Sequence, residues 1–201
     1  MNSPNVANPP EPADVLMHLA QRYSISPKHL GDPAPGRAAL LRAAALALRA
    51  PDHEALRPYR FVHIGVDQRE TLGELYARGA RRRGLDDAQV KQARERAFSG
   101  PCLLALIGHV RDGELDVPAQ DQWLCIGAAL MNFVNALHLM GYGAKVLGGA
   151  SVRDVDVQQA FCEPGETLLC WIVTGTPTRS AHSRYSDDVA SIFSDWDGGN
   201  P

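Results

Sequence analysis

One long stretch of the chain, residues 123–140, contains no Asp, Glu, Lys or Arg, and its apolar residues occupy every face of a helical wheel. Leu, Ala and Met favour helix, and no proline interrupts the stretch. Such a helix either spans a membrane or lies in a protein core. Because Asn132, Asn135 and His138 would be costly in lipid, the pattern predicts a long buried core helix that ends at Gly141.

Four other apolar stretches have the length and composition of β-strands, at residues 59–66, 102–110, 144–147 and 166–175. Helical patterning predicts helices at residues 15–21, 37–49, 70–80, 86–98 and 154–161. The first two precede the first strand, and the others lie between strands. The charged residues of the 86–98 segment are interpreted as a solvated face. Strands separated by helices predict an α+β or α/β fold.

The hydrophobic pattern also divides the chain into a domain and two tails. Residues 1–13 are rich in Pro and Asn and are expected to be disordered. The whole chain is 45% hydrophobic, which is ordinary for a globular protein, and residues 14–180 are expected to form one domain. The polar tail at 181–201 carries Ile192, Phe193 and Trp196, so we expect it to dock, on a second subunit.

Composition and motifs exclude several kinds of function. A formal charge of −3 gives no support for nucleic-acid binding. The four cysteines form no CxxC pair and the seven histidines have no short ligand spacing, so neither a disulfide framework nor a metal site is expected. No apolar leader opens the chain, which favours a cytoplasmic protein without membrane attachment. Phosphate-binding, zinc-protease and serine-hydrolase motifs are absent from the sequence.

Three basic clusters stand at the ends of predicted core elements, at residues 22–24 (RYS), 49–53 (RAPDH) and 175–179 (GTPTR). An arginine beside a hydroxyl suits a phosphate, because guanidinium provides a bidentate fork and the hydroxyl adds a donor. Each cluster taken alone is more typical of a surface arginine. Their shared position at the ends of rigid elements is what favours a ligand site.

In these residues the chain resembles the small members of the nitroreductase family of flavoproteins, over residues 14–180. The likeness rests on an ordered set of short motifs: 22–24, 49–53 with 58–61 (PYRF), 141–143 (GYG) with 148–149 (GG), and 175–177 (GTP). The resemblance implies an α+β sandwich, with a central sheet flanked by helices. It also implies a homodimer that holds FMN at its interface, each flavin touching both chains, with the long helix at the seam.

The resemblance further implies roles for individual residues. Arg22 and Ser24 would hold the FMN phosphate and ribityl chain, and Arg179 is a further phosphate candidate. Arg49 and His53 would reach polar atoms of the flavin, His53 on the partner's cofactor. The expected cofactor-binding residues are therefore Arg22, Tyr23, Ser24, Arg49, His53, Val146, Leu147, Gly148 and Arg179. No catalytic side chain is implied, because the flavin carries the chemistry.

The activity implied by the resemblance is hydride transfer from NADH or NADPH to the flavin, followed by reduction of a nitroaromatic or quinone acceptor in a ping-pong cycle. The chain departs from the family pattern by a two-residue insertion after Ser24, at Arg57-Pro58-Tyr59, where relatives usually carry Gln-Pro-Trp, and at three further positions. Tyr23 stands where close relatives carry a second arginine, and Val146-Leu147 where they carry a bulky aromatic followed by arginine. These departures motivate an alternative: a flavin-binding or dimeric interaction protein without reductase activity. A different reaction on the same scaffold is a minor third possibility.

Overall fold

The computed structural model describes residues 12–111, 113, 116–179 and 189–198. The helices of this part of the chain are α1 (Pro12–Ala20), α2 (Arg37–Ala47), α3 (Arg69–Arg82), α4 (Asp87–Glu95), α5 (Ala119–Leu139) and α6 (Val155–Phe161). Its strands are β1 (Leu30–Gly31), β2 (Tyr59–Ile64), β3 (Cys102–Gly108), β4 (Gly143–Leu147) and β5 (Thr167–Pro177). The six helices and four strands predicted from the sequence between residues 15 and 175 each have a counterpart here.

The five strands form one antiparallel sheet with β5 at its centre. Residues 171–174 of β5 pair with β3 and also with β4, so these two strands lie on opposite sides of β5. β2 pairs with the outer side of β3, and β1 pairs with Thr176 and Pro177 at the end of β5. The sheet and its helices confirm the predicted α+β class.

Helices cover both faces of this sheet, and each face has its own hydrophobic core. Leu103, Ala105 and Ile107 of β3 belong to one cluster, with side chains from α3, α4 and α6. The alternate residues, among them Leu104 and Leu106, belong to a second cluster with α2 and α5. Because both faces of β3 are buried, its sequence is a continuous apolar run rather than an alternating one.

Helix α5 is a core helix on one side only. It buries Phe133 and Leu137 against the sheet, whereas Trp123, Leu124 and Met131 are 48%, 65% and 40% exposed in the single chain. The helix starts just after Pro118, earlier than the uncharged stretch, and ends before Gly141, whose φ of 87° is the left-handed conformation that glycine favours. Within the described ranges, no helix has the length and apolarity needed to cross a membrane.

The two predicted tails fall largely outside these ranges. Residues 1–11 and 180–188 are not among the described residues, so the expected N-terminal disorder and the start of the C-terminal tail lie beyond them. Residues 189–198 include a short 3-10 turn, Val189–Ser191. Just after this turn, Ile192, Phe193 and Trp196 are 87%, 72% and 86% exposed. Three large apolar side chains are therefore presented to solvent by a single chain.

Candidate functional site

The first basic cluster lies beside the start of β4. The backbone N–H of Ile25 donates to the carbonyl of Ala144 at 3.1 Å, and Ser24 forms an isolated parallel bridge with the same residue. Arg22 is half-buried and Ser24 is exposed. The short segment after α1 is thus fixed against the sheet, and its guanidinium and hydroxyl are both accessible to a ligand.

The predicted flavin-edge residues follow at the other end of β4. Val146 is 40% exposed, while Leu147 is partly buried and packs on the same core cluster as Tyr23. A Cβ added at Gly148 would meet nothing within 4 Å, so the space beside this glycine is open. Gly148 comes four residues after Ala144, which in a strand corresponds to about 13 Å. Strand β4 therefore joins the 22–24 cluster to the 146–148 loop.

The outer edge of β4 is open over much of its length. β5 pairs with the inner edge, and in the described part of the chain the outer edge is bridged only at Ala144. Beyond β4, Gly149 has a φ of 108°, a conformation that side-chain-bearing residues rarely adopt. An unpaired strand edge followed by a glycine turn offers backbone N–H donors to a bound molecule.

A cavity of about 300 Å³ adjoins this loop on the α3 side of the sheet. Leu147 and Gly148 form one wall, and Tyr76, Arg96 and Ser99 contribute to the others. Burial raises the pKa of the Tyr76 hydroxyl, so this group is a neutral donor at physiological pH. Arg96 is exposed and has no ion pair within the described ranges.

Sequence reasoning missed Arg96 and Ser99 as lining residues. Arg96 was assigned to a solvated helix face, but α4 ends at Glu95 and Arg96 begins a 3-10 turn that leads towards β3. The turn is what directs this segment to the cavity. The only signal in the sequence is the break at Gly100-Pro101, which places residues 96–99 at the end of a core strand.

The buried side chain of Arg69 holds this segment in place. It is 4% exposed, and its Nη1 donates to the carbonyls of Ala97 and Gly100 at 3.1 Å. Burial lowers its pKa, and among the described residues no carboxylate forms an ion pair with it. Backbone carbonyls thus take the place of a counter-ion and fix the turn that carries Ser99.

The second basic cluster lies in the loop after α2, where Arg49 and His53 are both exposed. The carboxylate of Asp52 accepts hydrogen bonds from the backbone N–H groups of Leu56 at 3.1 Å and Arg57 at 2.9 Å. Three residues without glycine's freedom have positive φ in this loop: Glu54, Ala55 and Arg57. Such strained backbone is concentrated at functional sites, where the surrounding structure holds it.

The two clusters lie at opposite ends of α5. Asp52 lies beside Cys125 near the start of the helix, and burial together with this carboxylate raises the pKa of the Cys125 thiol to about 11. Arg22 instead lines a pocket with His138 near the end of the helix. Thirteen residues of α-helix span about 20 Å. One chain therefore holds the two clusters apart and does not bring Arg22 and Arg49 to the same small ligand. We call the cluster at Arg22 the first half-site and the cluster at Arg49 the second half-site.

Arg179 lies near the first half-site. It is exposed and follows Pro177, which lines the same pocket as Arg22. The backbone N–H of Thr178 donates to the carbonyl of His29 at 3.0 Å, which anchors the segment. Burial, and then the nearby charge of Arg179, lowers the pKa of His29. In the residues that the structure describes, no group of three His, Cys, Asp or Glu side chains could hold a metal ion.

Comparisons with known proteins agree with this architecture. The bacterial protein named "Putative NAD(P)H nitroreductase YdjA", from Escherichia coli strain K12, is 29% identical over 169 residues, covering 84% of this chain and 91% of that protein. The structure of a nitroreductase-like family protein from Bacillus cereus superposes with a TM-score of 0.77 at 14% identity, over 92% of this chain and 96% of that one.

A nitroreductase with bound FMN from Desulfitobacterium hafniense DCB-2 also shares the fold, with a TM-score of 0.64 at 15% identity, over 90% of this chain and 98% of that one. The sequence profile of the Nitroreductase family matches residues 19–176, which include α2 to α6, β1 to β4 and all of β5 except its last residue. This match covers well over half of the chain, and the chain belongs to the Nitroreductase family.

Proposed function

We propose that this protein is an FMN-dependent NAD(P)H oxidoreductase that reduces nitroaromatic or quinone-type acceptors. The observation that supports this most directly is the arrangement along β4, with Arg22 and Ser24 at one end and the open Gly148 loop and its cavity at the other. The names of the relatives, NAD(P)H nitroreductases, agree with it. We also propose a cytoplasmic location, because reduced nicotinamide nucleotides are held there.

The residues present fit FMN. A phosphate needs charge-assisted donors, which Arg22, Ser24 and Arg179 supply from one region of the surface. A flat ring system needs open space and backbone donors, which the outer edge of β4 and the loop at Gly148 provide. The distance of about 13 Å along β4 is one that FMN spans from its phosphate to the far part of its ring. On the cavity side, Ser99 would face the ring.

We propose that the active form is a homodimer, with each flavin held by both chains. Asp52 of the second cluster lies beside the start of α5 and Arg22 lies beside its end, about 20 Å apart along the helix, so a second copy is needed to bring Arg22 together with Arg49 and His53. The exposed apolar residues of α5, including Leu124 and Met131, supply a surface that a second copy would bury. The C-terminal tail would dock on this dimer through Ile192, Phe193 and Trp196.

When bound, FMN supplies the redox chemistry, by which a hydride from NAD(P)H is passed to an oxidised acceptor in a ping-pong cycle. The chain itself binds, orients and excludes water. Arg22 and Ser24 fix the phosphate end, Leu147 packs the loop onto the core, and backbone N–H groups of β4 hold the ring edge. Arg69 keeps the opposite wall rigid by binding the carbonyls of Ala97 and Gly100.

The second candidate is a flavin-binding or dimeric interaction protein without reductase activity. The observation that favours it is the end of β4, where Leu147 is partly buried in the core and Val146 presents a short aliphatic side chain. Neither residue supplies the aromatic ring and cation that the family pattern has there.

The test begins with the absorption spectrum of the freshly purified protein, with its chromophore released and identified by mass. The FMN-loaded protein is then mixed with NADH or NADPH and a quinone or nitroaromatic acceptor. We expect bound FMN and acceptor-dependent oxidation of the nucleotide. Bound FMN without oxidation of either nucleotide would favour the second candidate. A protein that does not bind added FMN would exclude both the reductase and the flavin-binding protein.

A further inference from the structure

The cavity beside Gly148 continues into a narrower cleft that leads away from β4. Tyr76, Arg96 and Ser151 line both spaces, and the far end of the cleft is bordered by Arg83 and Asp154. Arg83 comes seven residues after Tyr76, at the end of α3, which corresponds to about 10 Å along the helix axis. The cleft thus runs from the proposed flavin ring to a region outside the flavin site.

The charged side chains at the far end of this cleft differ in how closely they are paired. Arg82 donates from one nitrogen to both oxygens of Asp154 at 2.8 Å, and the backbone N–H of Asp156 donates to the same carboxylate at 3.1 Å. Asp154 is therefore satisfied without Arg83, whose nearest approach is 3.6 Å. In the described part of the chain, Arg96 has no ion pair.

Arg96, without an ion pair among the described residues, and Arg83, whose ion pair with Asp154 is long at 3.6 Å, are the two guanidinium groups of this cleft that an added anion can engage. This contrasts with the whole chain, whose formal charge is −3. A phosphate monoester carries a charge of about −1.5 to −2 near pH 7. Guanidinium groups bind such phosphates through paired, charge-assisted hydrogen bonds, which is why arginine is the usual residue at phosphate sites.

We infer that this cleft binds the 2′-phosphate of NADPH, through Arg83 and Arg96, and that the protein uses NADPH in preference to NADH. The inference rests on the proposed function, because it takes the nicotinamide ring to lie at the flavin beside Gly148. The cleft has a volume of only about 20 Å³, so the adenosine half of the dinucleotide would lie outside it, along its open rim towards Arg83. NADH lacks the 2′-phosphate and would leave both guanidinium groups without this partner.

FMN is the other phosphate monoester in this reaction, and the experiment must separate the two sources. Adenosine 2′,5′-bisphosphate and adenosine 5′-monophosphate are titrated by calorimetry into the full-length, FMN-loaded protein. FMN affinity is measured separately on the flavin-free protein. The test variant is Arg83→Gln. The matched control is Arg81→Gln, which removes the same charge from the same helix end at an exposed residue that does not line the cleft.

We expect the bisphosphate to bind at least about tenfold more tightly than the monophosphate, and Arg83→Gln to remove most of that difference. In turnover, kcat/KM should favour NADPH over NADH, and the ratio should fall in Arg83→Gln and in Arg96→Gln through a higher KM for NADPH. Arg81→Gln should keep the wild-type binding difference and the wild-type ratio.

Turnover without discrimination between the nucleotides would overturn the inference and leave the proposed function standing. A loss of FMN affinity in Arg83→Gln as large as its loss of bisphosphate affinity would also overturn it, by assigning the cleft to the flavin phosphate. Selective binding of the bisphosphate without turnover of either nucleotide would instead support the phosphate site and contradict the proposed function.

Discussion

The ion pair between Arg60 and Glu166 is the best-defined polar contact of a single residue in this protein. Nε and Nη2 of Arg60 donate to the two carboxylate oxygens at 2.7 and 2.6 Å, and the backbone N–H of Glu163 donates to the same carboxylate at 2.8 Å. These donors lower the pKa of Glu166 to about 2. The pair connects β2 to the residue before β5, across the intervening β3.

We expect Glu166→Gln to destabilise the protein by about 1–3 kcal/mol at pH 7, towards the lower end because Arg60 is partly exposed. The folded-state pKa lies below the ordinary value of 4.5, so this stabilisation is present above pH 4.5 and is lost as pH falls towards 2. Urea unfolding at pH 7 and at pH 3 measures it. Glu95→Gln, at an exposed residue, is the control.

A stability difference between wild type and Glu166→Gln that is as large at pH 3 as at pH 7 would contradict this assignment. It would mean that the charge of the Glu166 carboxylate does not stabilise the contact between the two strands. The Glu95→Gln control separates this local contact from the general effect of removing one negative charge.

Residue types and spacing indicated part of the candidate site, but burial decided the rest. Arg22 and Ser24 could be proposed because an arginine and a hydroxyl stand together at the end of a helix. Arg69 could not, because it lies in a charged stretch and only the folded structure brings the carbonyls of Ala97 and Gly100 to it. Arg96 is exposed, as its charged surroundings predict, but a one-dimensional charge pattern does not report that its turn borders a cavity.

At the scale of elements, hydrophobic periodicity predicted most helices and strands because each has a buried side. Strand β1 was missed, since two residues, Leu30 and Gly31, are too short to show any period. The long apolar stretch correctly indicated α5, but a helical wheel records only that residues are apolar. It does not tell whether Leu124 is covered by the same chain or, as proposed here, by a second copy.

We expect Leu124→Glu to convert the dimer to monomers, because burying an unpaired carboxylate in an apolar interface costs several kcal/mol. The side chain is 65% exposed in the single chain, so the fold itself should tolerate the change. Light scattering coupled to size exclusion measures the oligomeric state. The control is Val155→Glu, an exposed apolar residue on α6, on the opposite face of the sheet.

A Leu124→Glu protein that stays dimeric with native circular dichroism would show that the exposed face of α5 is not the dimer interface. Dissociation of the Val155→Glu control as well would point to a general loss of stability instead. Only the combination of a monomeric Leu124→Glu and a dimeric Val155→Glu agrees with the proposed interface.

At the scale of the whole molecule, the two half-sites lead to a prediction about mixed dimers. Two variants, each defective in one half-site, should restore FMN binding when they form a dimer with each other. Arg22→Ala and Arg49→Ala should each weaken FMN binding by about 1.5–3 kcal/mol through the loss of a charge-assisted contact. When equal amounts of the two variants exchange subunits, a mixed dimer has one site with both defects and one site with neither. We expect about a quarter of all sites to regain wild-type FMN affinity.

FMN fluorescence quenching at limiting flavin follows this recovery, and each variant taken through the same exchange procedure alone is the control. If Arg22 and Arg49 of one chain served the same flavin, every mixed dimer would have one or the other defect at each site. No fraction of sites would then regain wild-type affinity, and the proposal of a shared flavin would be lost.

In the proposed dimer, the separation of the half-sites along α5 would also link cofactor retention to protein concentration. A flavin that needs two copies is released when dilution drives the pair apart, and free FMN in turn opposes that dissociation by mass action. Specific activity would therefore fall on dilution, even though each chain remains folded. Within a cell, the amount of active enzyme would rise more steeply than the amount of polypeptide, so that low expression leaves the protein colourless as well as scarce.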